Sequence, residues 1–136
     1  MKTYSIEFKS TFKEAGFATE KILDFIQTEG EISDKEKLFS INLALRELFA
    51  NAVEHGNRMD ANKRVICEAC ISRDEFFIHI FDEGEGFELS SCRKKARLQG
   101  VLSQRGRGIY IIETLGFHIM VNKNHVMVRF KLDEIK

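Results

Sequence analysis

The sequence predicts an α+β fold: a two-layer α/β sandwich in which helices cover one face of a mostly antiparallel sheet. Three observations predict it. Amphipathic helical segments gather in the first half of the chain. Two pairs of short strand-like segments follow, each pair separated by a turn-length gap. The 136 residues, 43% of them hydrophobic, hold no proline, repeat or low-complexity stretch that would mark a linker, so one domain over 1–136 with one core is expected.

The elements are justified in order. Tyr4-Ser5-Ile6-Glu7-Phe8 alternates apolar and polar residues, as a half-buried strand does. Ser10-Thr11 then offers a cap for a helix running to about Gly30, with Phe17, Ile22, Phe25 and Ile26 as its apolar side. Ser33-Asp34-Lys35-Glu36 reads as a capping box led by Ser33. The long helix after it places Leu38, Ile41, Leu45, Leu48, Phe49 and Ala52 on one side and ends near His55-Gly56-Asn57, where glycine can stop it.

Val65 to Ile71 and Phe76 to Phe81 are rich in β-branched and aromatic residues and predict a hairpin. A glycine-bearing turn, Asp82 to Phe87, follows. Residues 88–104 are polar, basic and poor in pattern, so a loop with one short helix is expected. Gly106-Arg107-Gly108 opens an apolar helical run that Gly116 closes. Phe117 to Asn122 and His125 to Leu132 form the last antiparallel pair, turning at Lys123-Asn124.

Charge and composition exclude several classes. With 21 residues of each sign the net charge is zero, so no global field exists to hold nucleic acid or an anionic membrane. No apolar run reaches membrane-spanning length, and the first ten residues do not read as a signal peptide. Three cysteines, Cys67, Cys70 and Cys92, are an odd number, which points to reduced thiols and a cytoplasmic protein. Cys67 and Cys70 have half of a zinc spacing but fall on a predicted strand, where residues three apart face opposite sides. His79, His118 and His125 also fall in strands and read as ordinary sheet residues. The twelve phenylalanines read as core.

Three segments carry chemistry together. At about 100° per residue, Glu47, Asn51 and Glu54 lie within roughly 60° of one another on the helix surface, opposite Leu45, Phe49 and Ala52. An amide oxygen there can ligate Mg²⁺, and a carboxylate one turn away can orient or deprotonate a nucleophile; a solvated helix face is the plainer alternative. Asp82-Glu83-Gly84-Glu85-Gly86 leaves a strand with an acceptor for an exocyclic amine and two glycines that admit close approach, though any acidic turn looks similar. Gly106-Arg107-Gly108 offers backbone donors and a positive helix end to phosphate, or is simply a helix entry.

The order Glu47-xxx-Asn51-xx-Glu54-His55-Gly56-Asn57, Asp82-x-Gly84-x-Gly86-Phe87 and Gly106-Arg107-Gly108-Ile109 resembles the N, G1 and G2 boxes of the GHKL (histidine-kinase-like) ATPase superfamily. Within it, Asn51 to Asn57 and Gly106 to Ile112 look most like the small bacterial anti-sigma-factor serine/threonine kinases. The resemblance spans nearly the whole chain and implies a Bergerat-type ATP-binding fold. It implies that Asn51 binds Mg²⁺ and through it the ATP phosphates, and that Glu47 is the general base. Asp82 would hold the adenine amine beside Gly84 and Gly86, while Gly106, Arg107 and Gly108 close over the phosphates. His55 would line the pocket or cap the helix end.

Also implied are phosphorylation of a serine or threonine on a small antagonist protein, binding of a sigma factor, and a homodimer. Two departures stand out. The lid segment, 88–105, is short, lacks a proline near its start, and carries Arg93, Lys94, Lys95, Arg97 and Arg105. Leu115-Gly116-Phe117-His118 lacks an acidic residue often found there. A nucleotide-gated module that sequesters a partner with little catalysis is the alternative, and Glu47 argues for the enzyme. An ATP-hydrolysing piece of a larger machine is disfavoured by the chain's length.

Overall fold

The computed structural model describes residues 1–91 and 104–136, with the side chains of Gln104 and Arg105 excepted. Five strands, β1 (Lys2–Lys9), β2 (Arg64–Ser72), β3 (Glu75–Phe81), β4 (His118–Asn122) and β5 (His125–Lys131), form one sheet. Its order is β1-β2-β3-β5-β4, and each neighbouring pair is antiparallel. Helices α1 (Phe12–Glu29), α2 (Lys35–Asn51) and α3 (Gln104–Thr114) complete the two layers. The predicted class, both hairpins and the turn at Lys123-Asn124 are as observed.

Strand alternation decides which face is covered. Ile78 and Ile80 of β3, and Val128 and Phe130 of β5, point inward and are almost fully buried. Against them lie Ile22 and Ile26 of α1, Ile41, Leu45, Leu48 and Phe49 of α2, and Ile109 and Ile112 of α3. Aromatic contacts inside include Phe76 stacked on Phe130 and Phe117 edge-on to it, both with centroids 4.9 Å apart, and Phe8 set edge-on to Phe49 at 5.2 Å. Burial of this shared apolar face is the main favourable term holding the layers together.

Several expectations need correction. Asp34, not Ser33, caps α2: its Oδ1 accepts from the backbone N–H of Glu36 at 3.0 Å and of Lys37 at 3.2 Å. A carboxylate nearer the helix end satisfies two of its free donors and opposes its positive end. The helix does not stay α-helical to Gly56; from Ala52 to Gly56 it widens into a π turn, with the N–H of Asn57 bonded to the Ala52 carbonyl. α3 begins at Gln104, two residues before Gly106.

The phenylalanines are not all core. Phe12, Phe17 and Phe39 are half or more exposed, and Phe77 and Phe81 fall on the opposite side of β3 from Ile78 and Ile80. The same alternation puts Cys67 among the core residues, where burial raises its thiol pKa. Cys70 lies on the other face, beside Thr3 and Glu68. Cys92 and the basic residues Arg93, Lys94, Lys95 and Arg97, like the side chain of Arg105, lie outside the described residues. Among the described residues no helix is long and apolar enough to cross a membrane.

Candidate functional site

The C-terminal half of α2 runs beside the first turns of α3, and their meeting point brings two predicted groups together. Gly108 is buried there. A Cβ on it would sit 2.8 Å from Glu47 Oε2 and 3.5 Å from Asn51 Nδ2. Four residues apart on α2, Glu47 and Asn51 therefore present a carboxylate and an amide to the same point, as helical spacing requires. Asn51 is only 9% exposed, and its Nδ2 is buried without a hydrogen-bond partner. An unpartnered buried amide is costly in an apo fold, and such groups are normally satisfied by a ligand, ion or water.

The second group sits at the end of β3. Asp82, 9% exposed, accepts a hydrogen bond from the Gly84 N–H through Oδ1 at 2.7 Å. A Cβ on Gly56 would overlap Asp82 Oδ2, and one on Gly84 would overlap the Gly56 carbonyl. The π turn, the carboxylate and the glycine loop thus interlock, which only glycine at both positions permits. Asn57 fixes the same junction: wholly buried, it accepts from the Glu83 N–H at 2.7 Å and donates to the Arg64 carbonyl at 2.9 Å.

Between these groups lies a narrow cleft lined by Leu48, Asn51, Ala52, Ile80, Asp82, Phe87, Ile109 and Val126. Apolar walls with two convergent polar groups are what a flat base with a polar edge needs. The cleft is tight, so a base enters only as one wall yields, and Phe87 sits on the loop after Gly86 rather than on a strand or helix.

The predicted residues are not all equally placed. Glu47, Asn51 and Gly108 converge, and Asp82 and Gly84 form the interlocked loop with Gly56. Gly86 (φ +89°) turns the loop against Lys123. Gly106 is buried in the first turn of α3, while Arg107 is exposed beside it. His55 and Glu54 are half-buried in the π turn, outside the cleft lining. Sequence reading took Gly56 only as a helix stop and gave Asn57 and Phe87 no role. Gly56 and Asn57 make contacts with the loop after β3, some 26 residues on; Phe87 was signalled by its place at the end of the second box.

The donor set fits a nucleotide with a hard divalent ion. The amide of Asn51 carries an oxygen of the kind Mg²⁺ takes from protein when phosphates and water supply the other ligands, and the Glu47 carboxylate beside it is left for a proton. Among the described residues no group of three His, Cys, Asp or Glu side chains is arranged to hold a metal on its own.

Comparison with known proteins identifies the family. The family described as histidine kinase-like ATPase domain matches residues 18–132. The anti-sigma F factor of Clostridium perfringens strain 13 is 35% identical over 112 residues, 80% of this chain and 78% of that protein. The serine-protein kinase RsbW of Bacillus subtilis is 26% identical over 96 residues, 66% of this chain and 59% of that protein.

Proposed function

The chain belongs to the histidine kinase-like ATPase domain family, and from that premise we propose that it is an ATP-dependent protein serine/threonine kinase acting as an anti-sigma factor or a related regulator. Its substrate is a hydroxyl on a small antagonist protein, its other partner is a sigma factor, and it works as a homodimer. The observation that carries this reading is the convergence of Glu47 and Asn51 on Gly108. A module that only held nucleotide would need no carboxylate beside the amide.

ATP would supply the phosphoryl group, and a bound Mg²⁺ would supply charge neutralisation on it. Asn51 would hold the ion through its amide oxygen. Glu47, half-buried, takes the proton from the incoming serine or threonine hydroxyl at one carboxylate oxygen. Asp82, with Oδ1 held by the Gly84 N–H and Oδ2 against Gly56, would accept a hydrogen bond from the adenine amine. In the first turns of α3, Gly106 and Gly108 would let the phosphates approach the backbone closely and Arg107 would add one cation, near a helix end that favours phosphate. Leu48, Ile109 and Val126 exclude water from the base.

Calorimetric titration with ATP, with and without Mg²⁺, tests the site. Wild type is expected to bind in a Mg²⁺-dependent manner and Asn51→Ala to lose that dependence. Glu47→Gln should keep ATP affinity while phosphoryl transfer to the antagonist falls about 10²–10⁴-fold. Absence of ATP binding by wild type sinks the reading; equal transfer by Glu47→Gln removes Glu47 from the chemistry.

A further inference from the structure

We infer that Asn124, in the turn between β4 and β5, is a positioning residue for Asp82 and so sets the preference for an adenine amine. This rests on the reading of Asp82 as the adenine acceptor. Both backbone polar groups of Asp82 are held by this one residue. The Asn124 side-chain amide donates from Nδ2 to the Asp82 carbonyl at 2.6 Å, and the Asp82 N–H donates to the Asn124 carbonyl at 3.2 Å.

The rest of the loop is pressed on the same turn. A Cβ on Gly86 would overlap the Lys123 carbonyl, and Lys123 itself is held at φ 57°. On its other side, the loop is tied through Glu83 to Asn57. With its backbone pinned at both ends and Oδ1 occupied by the Gly84 N–H, the Asp82 carboxylate keeps one orientation, Oδ2 toward Gly56. A hydrogen bond to a buried acceptor discriminates only when the acceptor cannot swing away from a ligand that lacks the donor. Asn124 supplies that stiffness from the turn between β4 and β5, a different element from α2, which carries Glu47 and Asn51. The turn also leads directly into Val126, which lines the cleft.

The test compares dissociation constants for ATP and for the analogue triphosphate whose purine carries hydrogen in place of the 6-amino group. Wild type, Asp82→Ala, Asn124→Ala and Asn124→Asp are titrated under one set of conditions. Asn124→Asp keeps the side chain's shape but replaces the amide donor with an acceptor facing the Asp82 carbonyl. Wild type is expected to favour ATP by about tenfold, as one charged hydrogen bond allows, and Asp82→Ala to abolish the preference. Both Asn124 variants should lower the ratio at least threefold while keeping thermal transitions near that of wild type.

A ratio unchanged in both Asn124 variants overturns the inference, because a purely structural turn would weaken both nucleotides alike. A wild type with no preference for ATP overturns it too, and with it the assignment of Asp82. A wild type that prefers ATP beside Asn124 variants that keep the wild-type ratio overturns the inference alone.

Discussion

Gly108 contributes to the site by having no side chain. A Cβ there meets Glu47 Oε2 at 2.8 Å, and the far end of a glutamate can move aside at little cost. Alanine is also favoured over glycine inside a helix by about 0.8–1.0 kcal/mol. Gly108→Ala is therefore expected to leave the thermal transition unchanged or raise it, while phosphoryl transfer falls at least tenfold. Calorimetry and single-turnover transfer assays read the two effects separately, and a variant that transfers at the wild-type rate would contradict the role given to this contact. The partners on α2 were legible from sequence, because Glu47 and Asn51 stand one turn apart and the helix sets their angle. Which residue of α3 faces them was not legible, since that depends on how two helices pack. The interlock of Gly56 with Asp82 was hidden for the same reason.

Among the elements, α2 shows best what periodicity can and cannot give. Its apolar side was predicted residue by residue, and Ile41, Leu45, Leu48, Phe49 and Ala52 are buried. Its ends were read less well. Ser33 and Asp34 are both good caps, and only the backbone entering the helix chooses between them. Asp34→Ala should lower stability by about 1 kcal/mol, measured by urea unfolding, whereas Ser33→Ala should change little; the reverse order would restore the capping-box reading. The π turn at Ala52–Gly56 leaves no mark on an apolar pattern so short. It brings Gly56 against Asp82 and drops Asn57 into the junction between β2 and the glycine loop. The first turn of α3 was placed two residues late because Gly106, a weak helix former, looked like its start.

At the scale of the whole molecule, the described helices cover one face of the sheet. The other carries Ile66, Met120, Phe77 and Phe81 together with an imidazole pair, His79 Nδ1 lying 2.9 Å from His125 Nε2. The His125 ring also stacks on Phe81 at 4.2 Å. Burial, and secondarily His79, push the His125 pKa below its ordinary value. The unfolded chain therefore takes up this proton first as pH falls. Stability from His125 is full above about pH 6.5, the unfolded imidazole value, and declines below it until the folded imidazole is itself protonated. Thermal scans from pH 7.5 to 5.5 should show a falling transition that is flatter in His125→Gln. Equal slopes in the two proteins would contradict this account.

The interlock of Gly56, Asp82 and Gly84 has a consequence for heredity. A codon change that gives Gly56 a methyl group can be accommodated only by shortening or removing the carboxylate at position 82, and one at Gly84 collides with the backbone of Gly56. The space that would let any one position drift is the space the acceptor occupies. If Asp82 takes the adenine role proposed above, a lineage that keeps that contact must inherit all three residues as one unit.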